Sequence, residues 1–176
     1  SKKRRANVFM KLYLYKYNHN PKKISVMSVE IERKYLVNNE LIPSLEGFKS
    51  DIIVQGYLSS IPELTIRLRL KNESALLTFK GKTEGIKRQE LEIPIDSEFA
   101  HKLIQSFDIL VLRKKRYYIP QGHLTIELDV FEGKLDGLIL AEVELAHEDE
   151  QFSLPEWFGQ EVSYDPAYYN VNLIRR

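Results

Sequence analysis

From Val29 onward, ionisable and apolar side chains take turns along the chain in short runs separated by turn residues. A period of two belongs to the β-strand, whose successive side chains point to opposite faces. Strands are expected at Val29–Val37, Ile52–Ser59, Glu63–Lys71, Ala75–Lys82, Ile86–Ile95, Leu110–Ile119, Leu124–Phe131 and Leu138–Ala146. The links Lys71-Asn72-Glu73-Ser74 and Gly81-Lys82-Thr83-Glu84-Gly85 are hairpin-like, so neighbouring strands should run antiparallel. A helix is expected over Ser97–Phe107, with Asp96 and Ser97 as start signal and Phe99, Leu103, Ile104 and Phe107 on one apolar face. A shorter helix is expected after Pro43, carrying Leu45 and Phe48, and a third should open at Asp165-Pro166.

One face of these strands carries charge, grouped by sign. It holds Glu30, Glu32 and Lys34 on the first strand, Arg67 and Arg69 on the third, and Lys80 and Lys82 on the fourth. Arg88, Glu90 and Glu92 follow on the fifth, Lys114 and Arg116 on the sixth, Glu127 and Asp129 on the seventh, Glu142 and Glu144 on the eighth. The wet face of a one-sided sheet accounts for any single strand. It does not account for like-charge pairs on seven of eight strands, opposite a face that is almost unbroken Ile, Leu, Val, Phe and Tyr. Closing the sheet turns the charges inward and the apolar face outward, where helices can cover it. The expected fold is therefore α+β: an eight-stranded antiparallel closed β-barrel, a tunnel, with a few peripheral helices.

The 176-residue length suits one domain, and 43% hydrophobic residues exclude a disordered chain. No apolar run reaches the roughly 18 residues of a membrane-spanning helix, so no membrane is expected. With no cysteine there is no disulfide and no thiolate metal site, which suits a reducing cytoplasm. The net charge of +1 conceals an asymmetry: residues 1–26 hold eight Lys/Arg and no acid, leaving 18 basic and 25 acidic residues, a charge of −7, for the remainder. Residues 1–26 are read as a basic extension, loosely ordered or non-native, and residues 27–176 as the domain. Nucleic acid is not the expected partner, since a short basic run is a weak signal.

Carboxylates converging in a barrel suit hard divalent cations, and arginines and lysines suit the oxygens of a polyanion. Together they point to phosphoryl transfer to water from a triphosphate, whose charge must be neutralised in the transition state. The stretch Glu30-Ile31-Glu32-Arg33-Lys34 resembles the opening Glu-x-Glu-x-Lys motif of the CYTH family, the triphosphate tunnel metalloenzymes, and looks most like the small bacterial type. Thr65–Arg69, Leu77–Lys80, Gln89–Glu92, Arg113–Tyr117, Glu127–Asp129, Glu142–Glu144 and the ending Glu161-Val162 with Asp165, Tyr168, Tyr169 and Asn170 follow in family order.

The resemblance implies Mg²⁺ or Mn²⁺ held by Glu30, Glu32, Asp129, Glu142 and Glu144. It implies a triphosphate clasp of Lys34, Arg67, Arg69, Lys80, Arg88, Lys114 and Arg116. Glu90, Glu92 and Glu127 match further tunnel acids without an assigned role. Some members activate water with a lysine on the closing C-terminal helix; Asp165–Asn170 offers none, so water oriented by Glu142 or Glu144 is the substitute, and Glu142, Glu144 and Lys34 are the catalytic candidates. His101, His123 and His147 are read as surface residues and Trp157 as packing.

The expected function is metal-dependent hydrolysis of inorganic tripolyphosphate to pyrophosphate and phosphate. Thiamine triphosphatase, nucleoside triphosphatase and class IV adenylate cyclase are the alternatives within the family, and a non-catalytic polyphosphate- or nucleotide-binding module is the alternative outside it. A homodimer in the cytoplasm is the expected assembly.

Overall fold

The computed structural model describes residues 28–176; the expected basic extension over residues 1–26 falls outside them. The elements are β1 (Ser28–Val37), β2 (Ser50–Ile61), β3 (Leu64–Lys71), β4 (Ser74–Glu84), β5 (Lys87–Ile95), α1 (Ser97–Ser106), β6 (Val111–Gln121), β7 (Leu124–Glu132), β8 (Ile139–Glu144), β9 (Phe158–Glu161) and α2 (Asn170–Leu173). The sheet order is β5-β4-β3-β2-β6-β7-β8-β1-β9, every pair is antiparallel, and β1 also pairs with β5. That last pairing, from Ser28↔Glu90 to Ile31↔Lys87, closes the first eight strands into the expected barrel. Among the described residues no helix is long and apolar enough to cross a membrane.

The hydrophobic core lies outside the barrel wall rather than within it. Leu68, Leu70 and Ala75 point outward and pack under α1 through Ala100, Leu103 and Ile104. Asp96 caps α1 by accepting from Phe99 N at 2.9 Å. The helix seats Ala100 most deeply, leaving Phe99 53% and Phe107 71% exposed, so the expected four-residue apolar face is corrected to Ala100, Leu103 and Ile104. On the opposite flank Ile31, Tyr35, Ile126, Leu128 and Val143 are covered by Trp157, Phe152, Leu45 and Phe48. Each fully buried aliphatic or aromatic side chain contributes about 1.5–3 kcal/mol. At one end of the barrel the inward positions themselves turn apolar: Leu36, Leu112, Phe131 and Leu140 meet Val162 and Leu173, which plug the lumen.

Four local expectations change. The segment after Pro43 is irregular, and the short 3-10 turn lies earlier, at Asn39–Leu41, where the Asn38 side chain accepts from Glu40 N. Asp165-Pro166 does open a helical segment, but as a 3-10 turn over Pro166–Tyr168 that precedes α2. A ninth strand, β9, takes over the β1 edge beyond the pairing with β5. Its four residues are too few for a period to register; Arg33 anchors it with a bidentate pair to Glu161 at 2.9 and 2.5 Å. Lys82 leaves the inward row, because a bulge between Lys80 and Thr83 reverses the side-chain parity and turns Thr83 toward the lumen.

Gly56 lets the chain entering β6 lie against β2. A Cβ there would stand 2.7 Å from Ile109 Cγ2 and 2.8 Å from the Leu110 carbonyl oxygen. Gly56→Ala should therefore destabilise the protein by about 1–3 kcal/mol, the usual cost of overpacking. Urea unfolding measures it, and an unchanged midpoint would contradict the close approach.

Candidate functional site

The barrel encloses a cavity of about 340 Å³ lined by seven carboxylates and seven cations. Of the sixteen groups read from the sequence, fourteen line it; Lys82 is outside and Asp129 lies beneath the surface. None of the described histidines is there: His101 and His147 are exposed, and His123 meets Glu150 at 2.7 Å on the exterior. Trp157 is buried against Phe158, as packing.

Strand register sets which charges meet. Glu32 stands opposite Glu144 and Lys34 opposite Glu142 across β1 and β8, while Glu127 stands opposite Glu142 across β7 and β8. Like charges directly across a ladder repel, and burial strengthens the effect. Burial first, then the Glu142 charge, pushes the Glu32 carboxyl up from 4.5 to about 7. Burial together with Glu30 and Glu127 also raises Glu144, which makes no ion pair with any described residue. Lys34 Nζ lies 2.8 Å from Glu142 and 3.4 Å from Glu32. Burial opposes the Glu142 charge, but Lys34, Arg116 and Lys114 overcome it and hold that carboxyl well below its usual range.

Comparisons with known proteins agree with this geometry. The CYTH domain family model matches residues 28–176. The chain belongs to the CYTH family. An inorganic triphosphatase of Acetivibrio thermocellus is 36% identical over 150 residues, 85% of this chain and 95% of the relative. An inorganic triphosphatase of Nitrosomonas europaea is 40% identical over 149 residues, 82% of this chain and 95% of the relative. The crystal structure of an inorganic triphosphatase superimposes with a TM-score of 0.62 at 34% identity, covering 84% of this chain and 98% of that one. A Pyrococcus horikoshii protein at 20% identity and a TM-score of 0.52, covering 68% of this chain and 80% of that one, shares the fold.

Within this CYTH barrel the cations are held by acids. Lys80 lies between Glu30 at 2.5 Å and Glu90 at 2.6 Å. Burial pushes Glu30 up, yet Lys80 outweighs it and draws the carboxyl down to about 2. For Glu90 burial and the Glu30 charge prevail, raising it to about 7. Glu92 accepts from Arg69 at 2.9 Å, Arg67 at 3.4 Å and Thr78 at 2.8 Å, which lines up both guanidinium groups on one wall. Arg88 differs: it donates to the Gly81 carbonyl at 2.6 Å and Thr65 Oγ at 2.7 Å, and has no carboxylate within ion-pair distance among the described residues.

The deepest pair is Lys114 and Asp129, fully enclosed. Arg116 gives Asp129 two further hydrogen bonds of 2.6 Å and also reaches Glu127 and Glu142. Phe131 lies under the Lys114 ammonium at 5.4 Å. Both Asp129 oxygens are thus occupied by cations, as are both of Glu142, but Asp129 lies beneath the surface, while Glu30, Glu32, Glu142 and Glu144 are the acids that face the lumen from β1 and β8. Among the described residues no three carboxylates or histidines stand in coordinating geometry. The donor chemistry nevertheless fits a hard divalent cation: these are oxygen ligands crowded enough that two of them hold protons more tightly than usual.

Neutral lumen residues escaped the sequence reading. Gln55 donates to Tyr57 Oη at 3.0 Å, and Ser163, Tyr169 and Asn170 line the cavity from the C-terminal segment. Gln55 and Tyr57 share the inward parity of β2, which was the available signal; Tyr169 and Asn170 stood in the ending that resembles the family but carried no role, and Ser163 had no signal, because only the tertiary plug brings it in.

Glu32 binds its proton more tightly in the fold, at about 7, than in the unfolded chain, at 4.5. Between those values the unfolded state ionises first, so this group removes stability as pH rises through that window. The Glu32→Gln variant escapes the loss. Its melting temperature relative to wild type, in metal-free buffer, should climb from about pH 4.5 to about pH 7.5, and a flat difference would refute the crowding.

Proposed function

We propose that this chain hydrolyses inorganic tripolyphosphate to pyrophosphate and phosphate, with Mg²⁺ or Mn²⁺ as cofactor. The observation that carries the reading is the union of seven cations and seven acids around one cavity, in a chain 36% and 40% identical to two inorganic triphosphatases across most of their length. The cysteine-free composition suits a reducing cytoplasm, and a homodimer is the assembly we expect.

Arg67, Arg69, Lys80, Arg88, Lys114, Arg116 and Lys34 form the clasp for the phosphoryl oxygens. Glu92 orients two of the arginines, and we assign Asp129 to orienting Lys114 and Arg116 rather than to the metal. Of the lumen acids on β1 and β8, Glu30, Glu32 and Glu142 would hold the divalent cation, which supplies Lewis-acid neutralisation of the phosphate charge. Water attacks the terminal phosphorus, the bridging P–O bond breaks, and pyrophosphate departs with the bridging oxygen. Of the two acids named as catalytic on β8, Glu142 is pinned by Lys34 and Arg116 and is a weak base. Glu144 lines the cavity, makes no ion pair with any described residue and is kept for the attacking water, whose proton it accepts.

Turnover of tripolyphosphate, thiamine triphosphate and ATP under Mg²⁺ and Mn²⁺ tests the substrate; tripolyphosphate should lead, and cyclic AMP from ATP would replace the proposal with a cyclase. Glu144→Gln should lower kcat about 10²–10⁴-fold with little change in KM, as removal of a general base does. The Glu30→Ala, Glu32→Ala double variant should lose turnover; a protein that merely binds polyphosphate would keep or improve its affinity.

A further inference from the structure

A second pocket, of about 570 Å³, adjoins the charged cavity and shares two of its lining residues, Tyr57 and Val171. Most of its other walls are apolar, with Leu58 from β2, Leu103 and Phe107 from the α1 end, and Leu110; one side is polar, where Arg175 donates to Ser60 Oγ at 2.7 Å. Consecutive residues Tyr57 and Leu58 line the same pocket because the β2–β3 ladder slips between Tyr57 and Ser59, which bends the strand at the barrel rim. Tyr57 is therefore two-faced. The residue lines the largely apolar pocket, while its hydroxyl accepts from Gln55 and lies close enough to Arg67 and Lys34 to feel their charges.

The geometry points to Tyr57, backed by Val171, as the specificity-determining partition that confines the substrate to an inorganic chain; this rests on the triphosphatase reading above. An organic triphosphate carries a ring system at the end of its phosphates. Inside the charged cavity that ring would strip solvent from ion pairs and return no hydrogen bonds, a strongly unfavourable exchange. The surface suited to a ring is the apolar one, and it lies behind Tyr57 and Val171. A wall between a polyanion clasp and an aromatic-sized apolar pocket selects against the organic ester and for the bare polyphosphate. Removing the wall joins the two spaces, and the occupant of the apolar pocket is then the base of a nucleoside triphosphate whose phosphates sit in the clasp.

The experiment compares tripolyphosphate with ATP in wild type, Tyr57→Ala, Tyr57→Phe and Val171→Ala, by kcat/KM with the divalent metal and by calorimetric Kd. Tyr57→Ala should shift the tripolyphosphate-to-ATP preference toward ATP by at least about tenfold, the scale of discrimination that pocket shape supplies. Val171→Ala should shift it the same way by less, and Tyr57→Phe, which keeps the wall, should hold the wild-type ratio. Preferences within about twofold of wild type in both alanine variants overturn the inference, as does a wild type that takes ATP as readily as tripolyphosphate. If the wild type binds but does not hydrolyse tripolyphosphate, the triphosphatase reading fails, and the Kd ratios still decide whether Tyr57 is the partition. Should Tyr57→Ala not fold, Val171→Ala alone must move the ratio.

Discussion

Fourteen ionisable side chains cannot be drawn away from bulk water unless they are answered by another charge or dipole or give up their charge, and this balance governs the barrel. Removing one member of such a set leaves its partner stranded, so the pairs are coupled into one network. Arg116 touches three acids, and Lys34 and Lys80 each touch two. The pairing of opposite signs around the cavity is therefore a condition that the fold and the site share.

The same condition explains the inverted layering. A lumen given over to charge leaves the outer face of the wall as the one place for a hydrophobic core, and that face must be covered. Helix α1 covers β2, β3 and β4 on one flank, and the segment around Phe152 and Trp157 covers β1, β7 and β8 on the other. The lumen becomes apolar only at the end where Leu112, Phe131 and Leu140 meet the C-terminal plug. Catalytic geometry thus rests on a core separated from it by one layer of backbone, and Gly56, which lets the chain before β6 lie against that layer, contributes to the shape of both.

The eight barrel strands and nearly all of the charged row were legible in the sequence because a period of two is a local property. Where the backbone departs from ideal, the reading failed. The bulge after Lys80 moved Lys82 out, and the four residues of β9 were too short to show a pattern. Tyr57 was equally hidden: its inward parity was readable, but the ladder slip beside it, which sets it between two pockets, was not. Pairing across the barrel was also beyond sequence reasoning. Asp129 carries the same charge and parity as Glu127, yet only the fold reveals that Lys114 and Arg116 occupy both of its oxygens.

Glu142 and Glu144 illustrate how register converts one residue type into two chemistries. They lie two positions apart on β8, point the same way and would titrate alike in an unfolded chain. Glu142 is set opposite Lys34 and within reach of Arg116, so its proton is lost far below neutrality; Glu144 is set opposite Glu32 and near Glu30 and Glu127, so its proton is retained longer. Acid and base roles separate wherever environments push matched groups apart. A one-residue slip of β8 against β1 would turn both carboxylates away from the lumen. The pairing of Arg33 with Glu161 on the other edge of β1, which ties that strand to β9, therefore supports the placement of the carboxylate proposed as base, which it never touches.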